Sequence, residues 1–250
     1  MIGLDELKKY KELTNSSLYN AEKEYLQYIF LKYLSSLSNN FIFKGGTCLR
    51  ICYGFERASE DLDFNTSLSL EKIDFFIKKV LNSFSLLSID HEITSIKEYK
   101  GNIRYELRFQ GPLFNGNPRS SNNIKLDFNT RKIYRSPDPK VVPKIFSDIS
   151  TFSILTLNSE EILAEKLRAL QMRVQPRDLY DVWYLLNLDI DLDFDLLKEK
   201  LNDDNISFFS LKFPSKKEFD QDMKLLLSKD VDYDFIIKDV ESKLNRLTSV

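Results

Sequence analysis

The chain has 250 residues, 42% of them hydrophobic, with a formal net charge of −2 at pH 7, which suits one large core or two lobes and argues against a general nucleic-acid coat. No apolar run approaches the roughly 20 residues of a membrane span and Met1–Lys11 is too polar for a secretory signal, so a cytoplasmic protein with no membrane partner is expected. His91 is the only histidine and no Gly-x-Ser-x-Gly elbow exists, which excludes Ser-His-Asp and Cys-His catalysis unless His91 is the base.

Tyr25, Leu26, Ile29, Phe30, Tyr33, Leu34 and Leu37 recur at helical spacing, predicting a helix over Ala21–Leu37 capped by Asn20. Phe41-Ile42-Phe43 reads as a short buried strand running into Gly45-Gly46. Thr47–Tyr53 makes two helical turns ended by Gly54, and Asp61–Asn65 is the next strand. Cys48 and Cys52 have no Cys-x-x-Cys or histidine partner, so they read as buried reduced thiols. Ser69 begins a second amphipathic helix with Ile73, Phe76, Ile77, Val80, Leu81 and Phe84 on one stripe.

Two strands then alternate. Ile103, Tyr105, Leu107 and Phe109 oppose Arg104, Glu106, Arg108 and Gln110; Ile124, Leu126 and Phe128 oppose Lys125, Asp127 and Asn129. Asp127 therefore belongs to the polar face of a strand whose other face is core. From about Asn158 the pattern is helical: Glu160–Arg173, a break at Gln175-Pro176, then Arg177–Leu188, Phe194–Leu201, Lys216–Leu227 and Phe235–Leu247. The expectation is an α+β chain, with a mixed-sheet lobe over 1–155 and a helical C-terminal lobe over 156–250.

Charge is uneven along this layout. Lys100–Lys144 carries ten Lys/Arg against three Asp/Glu, while Asp189 to the C-terminus carries ten against fifteen. With Tyr99, Tyr105 and Tyr134 nearby, the basic stretch suits either a nucleic-acid backbone or a solvated face. The alternating Asp189, Asp191, Asp193 and Asp195 lack the central Gly and closing Glu of a calcium loop and read as an acidic link between helices.

The chemistry concentrates between residues 43 and 64. Alternation along a strand projects Asp61 and Asp63 together, and a pair of Mg2+ ions is a common reason to tolerate two adjacent carboxylates. Gly45 and Gly46 let backbone N–H groups approach a polyphosphate, and Thr47, opening a helix, offers a hydroxyl; Ser59 offers another. Phosphoryl and nucleotidyl transfer need a third carboxylate near the metals, and Asp127 is the candidate. Arg57 suits a phosphate or an ion pair with Glu56 or Glu60. Lys166, at the edge of an apolar helical stripe, can rest its stem on the core and aim its ammonium into a cleft. Asp178 and Asp181 share one helical face; first-turn acids at a helix N-terminus are the alternative reading of Asp178.

Lys44–Phe64, read KGGTCLRICYGFERASEDLDF, resembles the first motif of the AbiEii-type nucleotidyltransferase toxins, within the DNA polymerase β-like superfamily. IKLDFNTR, EEILAEKLRAL and Arg177-Asp178-Leu179-Tyr180-Asp181-Val182 resemble the later motifs in order, over about residues 20–188. The resemblance implies a polymerase β-like lobe, a toxin of a toxin–antitoxin or abortive-infection pair with a cognate antitoxin, and transfer of an NMP from an NTP to RNA, the tRNA 3′ end above all. It makes Asp61, Asp63 and Asp127 ligands of a two-Mg2+ site, and Lys44, Gly45, Gly46 and Thr47 the phosphate cradle. Lys166 holds the triphosphate. Asp178 orients Lys166 or the nucleotide, and Asp181 either shares that site or is structural. Competing readings are a small-molecule or protein acceptor, and a nucleotide-binding protein whose catalysis has decayed.

Overall fold

The computed structural model describes residues 1–99, 101–188, 190–206 and 211–248. The chain forms two compact units: Met1–Gly54 with Ser59–Lys132 and Pro137–Thr156, and Phe55–Ala58 with Ile133–Ser136 and Leu157–Val250. Two short segments that lie early in the sequence, 55–58 and 133–136, thus belong to the second unit.

Among the described residues of the first unit, seven strands form one mixed sheet: β1 (Ile42–Lys44), β2 (Leu62–Asn65), β3 (Asp90–Tyr99), β4 (Asn102–Gln110), β5 (Asn122–Asn129), β6 (Asp138–Val142) and β7 (Phe152–Thr156). Their spatial order is β3-β4-β5-β2-β1-β7-β6, with β2–β5 and β1–β7 parallel and the other pairs antiparallel. Helices α1 (Leu4–Thr14), α2 (Leu18–Leu37), α3 (Gly45–Tyr53) and α4 (Leu70–Leu86) complete this unit.

Alternation dictates the sheet core. On one face Phe43, Phe64, Phe128 and Ile103 are register neighbours on four consecutive strands, all buried. The Phe64 and Phe128 rings stack with centroids 5.4 Å apart, and Phe41 and Tyr105 meet Phe128 edge-on. Each such ring stabilises the fold by about 1.5–3 kcal/mol. Tyr105 is therefore a core residue; facing inward on β4, it cannot stack a base, in contrast to the expectation for the basic stretch. Lys100, where that stretch begins, lies outside the described residues, and Tyr134 and Arg135 belong to the second unit.

Helix α2 starts two residues before the predicted cap. Ser17 accepts the backbone N–H of Asn20 at 3.1 Å, so Ser17 is the N-cap and Asn20 lies inside the first turn. Strands β3 and β6 lie at the two edges of the sheet, and their half-exposed, polar patterns explain why sequence periodicity missed them; Pro139 in β6 is compatible with an edge. Cys48 and Cys52 are free thiols, Cys48 fully buried, and His91 sits on β3 with Nδ1 3.3 Å from the Ile89 carbonyl.

The second unit is helical: α5 (Ser159–Arg173), α6 (Pro176–Leu186), α7 (Phe194–Asn202), α8 (Lys216–Leu226) and α9 (Tyr233–Thr248). Asn158 caps α5 by accepting from Glu160 and Glu161 N–H, and Pro176 opens α6, where its missing donor costs nothing. Asp193 caps α7 through the Leu196 N–H, so this member of the acidic run is a helix cap; Asp189 lies outside the described residues. Buried Lys200 on α7 pairs with Glu161 (2.6 Å) and Glu165 (3.1 Å) on α5, while the Glu161 carboxylate accepts the Tyr134 and Arg135 N–H groups. That cluster fastens segment 133–136 into the second unit. Among the described residues no helix is long and apolar enough to cross a membrane.

Candidate active site

The residues singled out in the sequence fall into two sets, one in each unit. In the first unit, strand register lines up a row of charges: Lys44 beside Asp63, Asp63 beside Asp127, Asp127 beside Arg104, and Arg104 beside Lys97. Register neighbours share a face, so this row lies on the side of the sheet opposite the phenylalanine row one residue further along β2 and β5. Burying the rings on one face presents the charges on the other. Two carboxylates become direct neighbours, an arrangement that destabilises by up to about 1 kcal/mol. Arg104 offsets it, donating from Nε and Nη2 to the two Asp127 oxygens at 2.8 Å each. This bidentate bond raises the Arg104 pKa.

Asp61 stands one residue before β2, half-buried. Burial pushes its carboxyl above the ordinary 3.8; the Asp127 and Glu60 charges add to this, and Lys125 and Arg104 oppose it without cancelling it. The loop leading to Asp61 is tied from two helices. Buried Thr47 donates its hydroxyl to the Asp61 carbonyl at 2.6 Å and lies 3.0 Å from the Ser59 hydroxyl. From α2, the Gln27 amide donates to the Glu60 carbonyl at 2.8 Å and Lys23 pairs with the Glu60 carboxylate at 2.6 Å. The Thr47 hydroxyl, expected to face a phosphate, is thus turned to the protein.

Gly45 connects β1 to α3 with φ +78°. A Cβ there would come within 2.8 Å of the Asp63 carboxyl carbon, so the turn backbone lies directly against that carboxylate. The N-terminus of α3, whose first N–H groups have no partner inside the helix, opens beside it, with Lys44 at the cap position and Gly46 half-exposed.

Among the described residues no three His, Cys, Asp or Glu side chains stand together as a group able to hold a metal ion. The donors nevertheless suit Mg2+ in kind, being hard carboxylate oxygens, two of them on adjacent strands and one on the residue leading into the first of these strands. Asp127 is turned to Arg104 instead. Arg104, Lys23 and Gln27 escaped the sequence reading. Arg104 had a signal, its place on the polar face of β4, but which residue it faces depends on register.

In the second unit, Lys166 on α5 lies 2.8 Å from Asp181 and 3.6 Å from Asp178, both fully buried on α6. Arg57 donates to both Asp181 oxygens at 2.5 and 2.6 Å, and Arg173 does the same to Asp178 at 2.5 and 2.7 Å. Of the partners weighed for Arg57 in the sequence, neither is the one it takes; its partner is Asp181, 124 residues away. Burial pushes the Asp181 carboxyl up, but Lys166 and Arg57 outweigh it and hold the carboxyl below its usual range.

A family model described as the nucleotidyl transferase AbiEii toxin of type IV toxin–antitoxin systems matches residues 29–246. The chain belongs to the AbiEii nucleotidyltransferase toxin family. This AbiEii protein is accordingly a nucleotidyltransferase and a toxin, and membership implies an NTP substrate and an antitoxin partner. Its α+β fold recurs in MenT4, a nucleotidyltransferase toxin of Mycobacterium tuberculosis, at TM-score 0.73 and 19% identity over 100% of this chain and 91% of that one. JHP933 from Helicobacter pylori matches at TM-score 0.62 and 22% identity, over 93% and 95% of the two chains. No curated protein sequence matches the AbiEii chain.

Proposed function

We propose that this AbiEii enzyme is Mg2+-dependent and moves an NMP unit from an NTP to a hydroxyl of RNA, the tRNA 3′ end in particular. The observation that carries this reading is the side-by-side placement of Asp63 and Asp127 with the Gly45 turn pressed against Asp63. Asp61, Asp63 and Asp127 are the residues that would hold the metal. Bound there, Mg2+ supplies charge neutralisation and a lowered pKa for the attacking hydroxyl. Asp127, once released by Arg104, would take that hydroxyl's proton. Gly45 and Gly46 offer backbone N–H groups to the triphosphate, with Lys44 and Ser59 beside them; Thr47 acts by holding the Asp61 loop.

The motif resemblance assigns Lys166 to the triphosphate; in the second unit its ammonium lies 2.8 Å from Asp181 and 3.6 Å from Asp178. Asp178 and Asp181 set its position, and Lys166 and Arg57 together hold the Asp181 carboxyl below its usual range. Arg104, Lys97 and Arg108 on the exposed face of the first unit's sheet are ion-paired with Asp127, Glu106 and Glu92, with Lys125 on the same face; the RNA acceptor is carried by the motif resemblance.

The test uses each of the four α-32P-labelled NTPs with total RNA, purified tRNA, a protein pool and a small-molecule pool. Label is expected in the tRNA fraction, abolished by EDTA and restored by Mg2+. Asp63→Ala is expected to abolish transfer with an unchanged circular dichroism spectrum. Full activity in Asp63→Ala removes the metal role, and label entering only protein or small molecules replaces the acceptor.

A further inference from the structure

Both oxygens of Asp127 are engaged by Arg104, each at 2.8 Å, and a divalent cation held by Asp63 and Asp127 needs at least one of them. Each oxygen keeps a second lone pair, but the guanidinium charge lies against the carboxylate that a divalent cation would use, so the two cations oppose each other there. The pairing of β4 with β5 sets Arg104 directly across from Asp127, so the strand backbone keeps the guanidinium at hand. Arg104 is about one-third exposed, at 33%, while Asp127 is 15% exposed. A pair open to water on the arginine side costs less to open than the buried Arg57–Asp181 pair. Without Arg104, Asp63 and Asp127 would be neighbouring carboxylates with one fewer cation beside them.

We propose that Arg104 is a built-in counter-ion for this carboxylate pair: it holds Asp127 until a divalent cation binds, yields the carboxylate to that cation, and so sets the affinity for the metal. The proposal rests on the metal-holding role assigned above to Asp63 and Asp127. Arg104 acts through Asp127 and is a positioning residue.

Mn2+ binding, followed by electron paramagnetic resonance without nucleotide and with Mg2+ as competitor, tests it on the full chain. Arg104→Gln is expected to bind Mn2+ roughly fivefold more tightly than the parent. Arg104→Lys is expected about twofold tighter, because an ammonium keeps the charge but loses the two-point fork. The Mg2+ concentration giving half-maximal transfer should fall in the same order. Equal or weaker Mn2+ binding in Arg104→Gln overturns the proposal while the metal site stands, provided that Asp63→Ala loses binding. No Mn2+ binding by the parent, Arg104→Gln or Asp63→Ala removes the metal-holding reading and this proposal with it. If Arg104→Gln fails to fold, Arg104→Lys decides, and parental affinity there overturns the proposal.

Discussion

Gly45 offers the sharpest test of how the fold shapes the carboxylate site. Its φ of +78° lies in the left-handed region, where an L-alanine costs about 1–2 kcal/mol. A Cβ at this position also meets the Asp63 carboxyl carbon at 2.8 Å and its Cβ at 2.9 Å. Asp63 Cβ sits on a strand paired on both sides, so it has little room to yield, and such overpacking costs about 1–3 kcal/mol. Gly45→Ala should therefore destabilise by roughly 2–5 kcal/mol. Gly116 supplies the control, with φ +90° and nothing within 4 Å of an added Cβ, so Gly116→Ala carries only the backbone part. Urea unfolding of both variants isolates the steric contribution as their difference, expected at about 1–3 kcal/mol. The survivors of Gly45→Ala should lose transfer by roughly 100-fold, since a shift of about 1 Å at a reacting group has that effect. Equal destabilisation in the two variants, with transfer intact in Gly45→Ala, would refute the claim that the turn is pressed against Asp63.

Asp181→Asn removes the charge facing buried Arg57 and Lys166 and should cost roughly 3–5 kcal/mol in urea unfolding; pairing it with Arg57→Met should recover much of that, and a loss below about 1 kcal/mol would contradict the buried pair. The Asp181 carboxyl is held below its usual range, so its contribution is present above the ordinary aspartate value and is lost as pH falls through the depressed one; acid unfolding of the parent should show this and Asp181→Asn should not. Asp61 has the opposite sign. Its raised carboxyl makes ionisation unfavourable to the folded state, so stability is full below the ordinary 3.8 and declines as pH rises through the raised value. Asp61→Asn should accordingly raise Tm at pH 7 without Mg2+, with the gain vanishing on acidification below 3.8, and a Tm difference independent of pH would contradict this.

What the sequence by itself determined was local. Two-residue alternation placed Asp127 on the polar face of β5, apolar spacing marked α2, α4 and α5, and the diglycine marked the turn into α3, because each follows from side-chain periodicity or backbone sterics within a few residues. The family motifs, read in order, carried the fold class and the nucleotidyltransferase assignment. Edge strands β3 and β6 left no such mark, since one pays no core-forming pattern for a strand that water covers. Only the tertiary structure decided which charges meet. Asp63 lies beside Asp127 because β2 and β5 pair in parallel, Arg104 takes Asp127 because β4 and β5 pair in one register, and Arg57 finds Asp181 across 124 residues. A shift of one residue in any of those registers would exchange the charged row for the phenylalanines, and no single strand specifies it. Register is settled where the aromatic face is buried, by all the strands together.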